Sequence, residues 1–187
     1  DNCAILVVDM LNDFMLENAP LEIPEGREIA PKIKELLTFA RGQDIPVIYI
    51  QELHRKNKVD FGRGLDREPL RCIEGTKGAE IYDLLKPEEN DHIVVKRRFS
   101  GFFMTDLELL LKGLRKRVVV ITGMATNMCV YATAMDAVQR DFYAVIVEDC
   151  VAGTSHTSKE VHNAFLENFK TILGEVTESE HLKSRLK

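Results

Sequence analysis

Short unbroken apolar runs alternate along this chain with stretches of helical period, and that alternation most constrains the fold. Val118-Val119-Val120-Ile121 is four β-branched residues in a row, the pattern of a strand buried on both faces. Gly123 breaks the run, and Thr126 and Asn127 come next as residues of helix-capping type. From Met128, apolar residues recur at helical spacing through Ala132, Met135 and Val138, so a helix is expected to about Arg140. Ala4–Val8, Pro46–Ile50, His92–Val95 and Tyr143–Val147 read as further strands. Glu28–Arg41, Asp106–Leu114 and Ser158–Asn168 read as helices between them, with Gly42 as the first one's stop. On Asp106–Leu114 the inward residues are Leu107, Leu110, Leu111 and Leu114; on Ser158–Asn168 they are Val161, Ala164, Phe165 and, just beyond, Phe169. Lys170–Leu173 reads as a short final strand and the charged tail from Glu175 as a helix. Strand–helix alternation of this kind predicts βαβ units, hence one α/β domain over residues 1–187, doubly wound around a parallel sheet.

Two segments escape the pattern. Met10–Arg27 carries Asn12, Asp13, Pro20, Pro24 and Gly26 and reads as a long site-shaping loop. Arg55–Gly78 is polar and aperiodic, an excursion over one end of the sheet, and Ala79–Leu85 after it reads as a short helix or turn. Neither GxGxxG after the first strand nor GxxxxGK[ST] is present, so nothing points to a dinucleotide or a P-loop nucleotide.

Composition narrows the partners. Lys and Arg number 25 against 30 Asp and Glu, for a net charge of −5, which argues against nucleic acid or an anionic membrane surface. No apolar run approaches the roughly 18 residues that span a bilayer, and the first residues are strand-like rather than leader-like. The four cysteines, Cys3, Cys72, Cys129 and Cys150, are widely spaced and form no CxxC pair. That usage suits a reducing, cytoplasmic setting rather than a zinc knuckle or a disulfide scaffold.

Three chemically distinct residues close buried strands. Asp9 ends the first, Lys96 comes directly after His92–Val95, and Cys129 lies just past Val118–Ile121. In an open parallel sheet the C-terminal strand ends form one rim, where ligands bind. Each residue alone has a structural reading: a turn-forming Asp, a solvated Lys, a small core Cys. Together they make a site. A helix start and an ammonium both favour a thiolate at Cys129, and the Asp9 carboxylate can take the thiol proton and return it to a leaving amine.

The segments Val7-Val8-Asp9-Met10-Leu11-Asn12-Asp13-Phe14, Lys96-Arg97-Arg98-Phe99-Ser100-Gly101-Phe102-Phe103, Thr105-Asp106-Leu107 and Gly123-Met124-Ala125-Thr126-Asn127-Met128-Cys129-Val130 give the chain a resemblance to the isochorismatase-like cysteine hydrolases. That superfamily holds nicotinamidase, N-carbamoylsarcosine amidase, ureidoacrylate amidohydrolase and biuret hydrolase. The resemblance implies a six-stranded parallel sheet in the order 3-2-1-4-5-6 and an Asp–Lys–Cys triad at Asp9, Lys96 and Cys129. It also implies a cis peptide at Met124-Ala125, aiming the Ala125 and Cys129 N–H groups at a developing oxyanion. Asn12, Phe14, Arg98, Phe99 and Tyr131 are the candidate substrate-binding residues. The activity implied is cleavage of a C–N bond in a small amide or carbamoyl compound through a thioester, without cofactor. A homo-oligomer, dimer or tetramer, is also implied, with Arg55–Gly78 as the segment reaching a neighbour.

Metal-dependent nicotinamidases carry Asp-x-His after the second strand and a further His downstream. This chain has Glu52-Leu53-His54 there, and the excursion offers Asp60, Asp66, Glu68, Cys72 and Glu74 but no histidine. A catalytic metal site normally takes three protein ligands, so no metal is expected. The alternatives are a metal-dependent nicotinamidase, a vinyl-ether hydrolase of isochorismatase type, which needs no cysteine, and a non-catalytic binding member of the fold.

Overall fold

A computed structural model describes residues 2–153 and 157–186. Six parallel strands form one sheet in the expected order β3-β2-β1-β4-β5-β6. They are β1 (Cys3–Val8), β2 (Val47–Glu52), β3 (His92–Lys96), β4 (Val118–Met124), β5 (Tyr143–Ala152) and β6 (Glu175–Thr177). The helices are α1 (Asn12–Met15, a single turn), α2 (Glu25–Gly42), α3 (Leu107–Gly113), α4 (Tyr131–Val138), α5 (Lys159–Ile172) and α6 (Ser179–Arg185). None of the described helices is long and apolar enough to cross a membrane.

Period-two alternation splits the apolar residues of β1 between two cores. Cys3, Ile5 and Val7 face Ile33, Leu36, Leu37 and Ala40 of α2 and Leu182 of α6. Ala4, Leu6 and Val8 face Leu107 and Leu111 of α3, Ala134 and Ala137 of α4, and Leu166 and Phe169 of α5. Burial on both faces is why β1, β2 and β4 read as unbroken apolar runs, whereas in the edge strand β3 Ile93 and Val95 are exposed.

Several expectations need correction. Gly123 does not break β4; it lies inside the strand with φ 105°, opposite Val8. A Cβ there would sit 2.0 Å from the Val8 carbonyl oxygen, so only glycine lets β4 run on past its neighbour. The helix after β4 opens with a π turn, Thr126–Val130, whose N-cap is Ala125, with no side-chain capping bond from Thr126 or Asn127. A π turn adds one residue per turn and rotates the helix beyond it. The face of α4 that enters the core is therefore Val130, Thr133, Ala134 and Ala137, while Met128, Ala132, Met135 and Val138 are only partly buried. Lys170–Leu173 is no strand: α5 continues through Ile172, and the last strand begins at Glu175. Within α5, Ala164 is exposed and Leu166 takes the core position. Gly42 belongs to α2, and the chain reverses at Asp44 with φ 54°.

Candidate active site

β1, β3 and β4 end on one rim and carry their polar groups to one point. Lys96 Nζ lies 2.7 Å from Asp9 Oδ2, 3.4 Å from Cys129 Sγ and 3.6 Å from Glu52 Oε2, and it donates to the Arg98 carbonyl at 3.0 Å. The lysine side chain is fully buried, unlike the solvated strand-end lysine of its structural reading. Asp9 takes φ 51°, a left-handed turn that Asp tolerates, where the chain leaves β1. Its Oδ1 accepts the backbone N–H of Glu52 at 2.9 Å. Met124-Ala125 is cis, as the resemblance implied, and the N–H groups of Met128 and Val130 both donate to the Ala125 carbonyl.

A cavity of about 460 Å³ opens onto this point. Asp9, Glu52, Arg71 and Cys129 line its polar end, and Phe14, Leu21, Ile23, Met124 and Met128 its apolar wall. Phe99, half exposed, lies on the rim. Of the five candidate substrate-binding residues, Phe14 and Phe99 line this cavity. Asn12 does not: its Nδ2 donates to the Lys77 carbonyl at 2.8 Å and pins the excursion. Arg98 lies on a neighbouring cleft and donates to the carbonyls of Asp60 and Arg97. Tyr131 packs edge-on against Phe165, and its hydroxyl accepts from Asn168, between helices. Ala125 lines the cavity beside Cys129.

The electrostatics correct one expectation. Cys129 lies within the π turn rather than the first turn of an α-helix, and burial pushes its thiol well above the usual range; Lys96 opposes that rise, and Asp9 and Glu52 reinforce it. The two carboxylates are pushed apart. Burial raises Asp9 against the pull of Lys96. For Glu52 burial acts the same way, but Lys96, His54 and Arg71 outweigh it and bring the group down to about 2. Of the two, Asp9 is the more basic and Glu52 the more firmly ionised.

Glu52 also heads a second network. Its Oε1 lies 3.0 Å from His54 Nε2 and 2.9 Å from Arg71 Nε. His54 Nδ1 lies 3.3 Å from Asp60 Oδ1, and Arg71 Nη2 2.6 Å from Glu68 Oε2. These residues do not fit the divalent metal that some relatives of this type carry. Donor atoms of Asp9, Glu52 and Cys129 come within 4.8 Å of one another, but the Lys96 ammonium stands among them. At Glu52 and His54 the remaining place is taken by the Arg71 guanidinium.

Arg71 and the two methionines of the cavity were not legible as site residues. Arg71 sits in an aperiodic stretch with no motif around it. Met124 and Met128 flank the cysteine in sequence, and that proximity was the one signal available.

Residues 3–181 match the isochorismatase domain. The chain is 34% identical over 183 residues to a probable inactive nicotinamidase of Arabidopsis thaliana, covering 91% of this chain and 89% of that one. Among solved structures, an isochorismatase-like hydrolase from Alkaliphilus metalliredigens superposes with a TM-score of 0.91 at 38% identity, over 100% of both chains. A pyrazinamidase of Pyrococcus horikoshii in complex with zinc gives 0.86 at 30% identity, over 95% of this chain and 99% of that one. With a domain match spanning nearly its whole length, and a sheet order and backbone shared with solved members, the chain belongs to the isochorismatase-like hydrolase family.

Proposed function

We propose that this chain is a cysteine amidohydrolase that cleaves the C–N bond of a small amide or carbamoyl compound through a thioester on Cys129. The observation that carries this reading is the buried Lys96 ammonium, 2.7 Å from Asp9 and 3.4 Å from Cys129, the two groups that line the polar end of a cavity of small-molecule size. A non-catalytic fold has little use for a fully buried lysine held between a carboxylate and a thiol, because burying such charges costs several kcal/mol each unless they are paired. The family includes amidohydrolases, which favours C–N over vinyl-ether cleavage.

The charges dictate the steps. Substrate enters with its carbonyl carbon toward Cys129 Sγ. As sulfur attacks, Asp9 accepts the thiol proton, and the carbonyl oxygen becomes an oxyanion facing the Ala125 and Cys129 N–H groups. Asp9 passes that proton to the departing nitrogen, the C–N bond breaks, and the amine leaves. Water then attacks the thioester; Asp9 takes its proton, the C–S bond breaks, and the proton returns to sulfur. Lys96 stays charged throughout. Its charge opposes the rise that burial imposes on Asp9, and it stabilises the thiolate as it forms. Phe14, Leu21, Ile23, Met124 and Met128 suit a substrate with a compact apolar body beside its amide.

The test is release of ammonia or amine over a panel of simple amides, ureas, carbamoyl amino acids and nicotinamide. Turnover by the native chain and none by Cys129→Ala is expected. A folded protein that hydrolyses no member of the panel would favour the non-catalytic reading.

A further inference from the structure

We infer that Arg71 is the built-in cation of this site, standing where a metal-bearing version of the same site would place its ion, and that it positions Glu52 for the Lys96 centre. Three observations converge. First, Glu52 Oε1 has two neighbours at nearly equal distance, His54 Nε2 at 3.0 Å and the Arg71 guanidinium, in an ion pair, at 2.9 Å to Nε, so the guanidinium and the imidazole flank one carboxylate oxygen. Secondly, Arg71 is only 7% exposed and faces the same cavity as Cys129; an arginine this buried is held for its charge. Thirdly, its place is fixed by backbone rather than by the reach of a long side chain. The Cys72 N–H donates to Asp13 Oδ2 at 2.6 Å, and the Cys72 carbonyl accepts the His54 N–H at 2.7 Å. Asp13 in turn fills the space that a side chain at Gly78 would need. The first loop therefore clamps residues 71–72 beside the end of β2.

The consequence is a division of positive charge. Glu52 touches both cations, Lys96 through Oε2 and Arg71 through Oε1. With Arg71 neutralising its outer oxygen, Glu52 does not draw Lys96 away from Asp9 and Cys129. The Glu68 carboxylate balances the far side of the guanidinium at 2.6 Å. A guanidinium cannot leave, exchange or be chelated, so the site keeps its cation under all conditions.

The kinetic half of this inference rests on the amidohydrolase reading; the metal half does not. The metal half is tested by titrating cobalt(II) into the native chain, His54→Ala, Arg71→His, and the double variant Arg71→His with His54→Ala, following the visible absorption of coordinated cobalt. Arg71→His puts an imidazole beside Glu52 and His54 and is expected to bind one cobalt per chain, with the double variant losing it and the native chain showing none. Cobalt bound by the native chain and lost on His54→Ala, or no cobalt bound by a folded Arg71→His protein, overturns the inference. The kinetic half compares Arg71→Met with Arg71→Lys on whichever substrate the native chain turns over. Arg71→Met should lower kcat about 10- to 100-fold with KM little changed, the usual cost of losing a partner that orients a site group, and Arg71→Lys should regain most of it. An unchanged kcat in Arg71→Met overturns the positioning role. Should the native chain turn over nothing, the amidohydrolase reading fails, and the cobalt titration still decides the identity of the cation.

Discussion

The backbone N–H of Glu52 donates to Asp9 Oδ1 at 2.9 Å, tying the end of β2 to the carboxylate just past the end of β1. The two oxygens of Asp9 thus have different neighbours: Oδ1 faces this amide, Oδ2 the Lys96 ammonium at 2.7 Å. The bond fixes the carboxylate plane, so one rotamer presents Asp9 to Cys129.

Asp9→Asn keeps that shape and removes the proposed base. Turnover should fall by about two to four orders of magnitude, the usual contribution of a positioned acid/base group. The measurement is kcat on the best substrate of the amide panel, with circular dichroism confirming the fold. A loss of only a few fold would leave Asp9 as a turn residue.

Acid should unfold the chain partly through Glu52. Its folded-state value, about 2, lies below its ordinary 4.5. A depressed carboxylate contributes stability that is fully present above the unfolded value and is lost as pH falls from about 4.5 toward 2. Urea midpoints for the native chain should therefore drop steeply across that window. Glu52→Gln should show a lower midpoint at pH 7 and a flatter slope below 4.5. Parallel curves for the two proteins would remove Glu52 from the acid response.

Gly123→Ala should destabilise the fold by at least about 3 kcal/mol, combining a positive φ with a clash against backbone that cannot move aside. Its Cβ would meet the Val8 carbonyl oxygen at 2.0 Å and Val8 N at 2.7 Å. Chemical denaturation measures this directly. A shift under 1 kcal/mol would mean that β4 can separate from β1 at that level.

Legibility in the sequence tracked the range of the interactions. The central strands were legible because burial on both faces leaves continuous apolar runs, whereas the sheet order came from the family resemblance. Asp9, Lys96 and Cys129 were legible because strand ends share one rim whatever the loops do. The π turn at Thr126–Val130 left no trace, since its residues satisfy an α-helical period equally well, and the buried face of α4 was misplaced by its rotation. The end of α5 was misread because Lys170–Leu173 has an apolar pair that fits a strand as well as a last turn. Arg71 escaped because its place depends on the adjacent Cys72 N–H donating to Asp13, 59 positions earlier, and no local pattern encodes such a bond.

Cys129 offers the most direct test of the charge arrangement, because its reactivity can be read without a substrate. All four cysteines are buried, but among the described residues Cys129 is the one that lines the active-site cavity. Iodoacetamide should therefore label it first. Burial raises the thiol above its usual range, so the rate should climb with pH into the alkaline range rather than level off near 7. The neighbours then give opposite signs. Asp9 raises the thiol, by its charge and by its hydrogen bond, so Asp9→Asn should speed labelling at pH 8 even while it lowers turnover. Lys96 lowers it, so Lys96→Met should slow labelling. Cys129→Ala should take up no label at this rate and have no activity, and Cys129→Ser should be nearly inactive, because a hydroxyl is far harder to ionise than a thiol beside the same ammonium. Mass spectrometry of peptides after timed quenching gives each rate. Equal rates for the native chain and both neighbours' variants, or faster labelling of Cys3, Cys72 or Cys150, would show that the Asp9–Lys96 pair does not govern the sulfur.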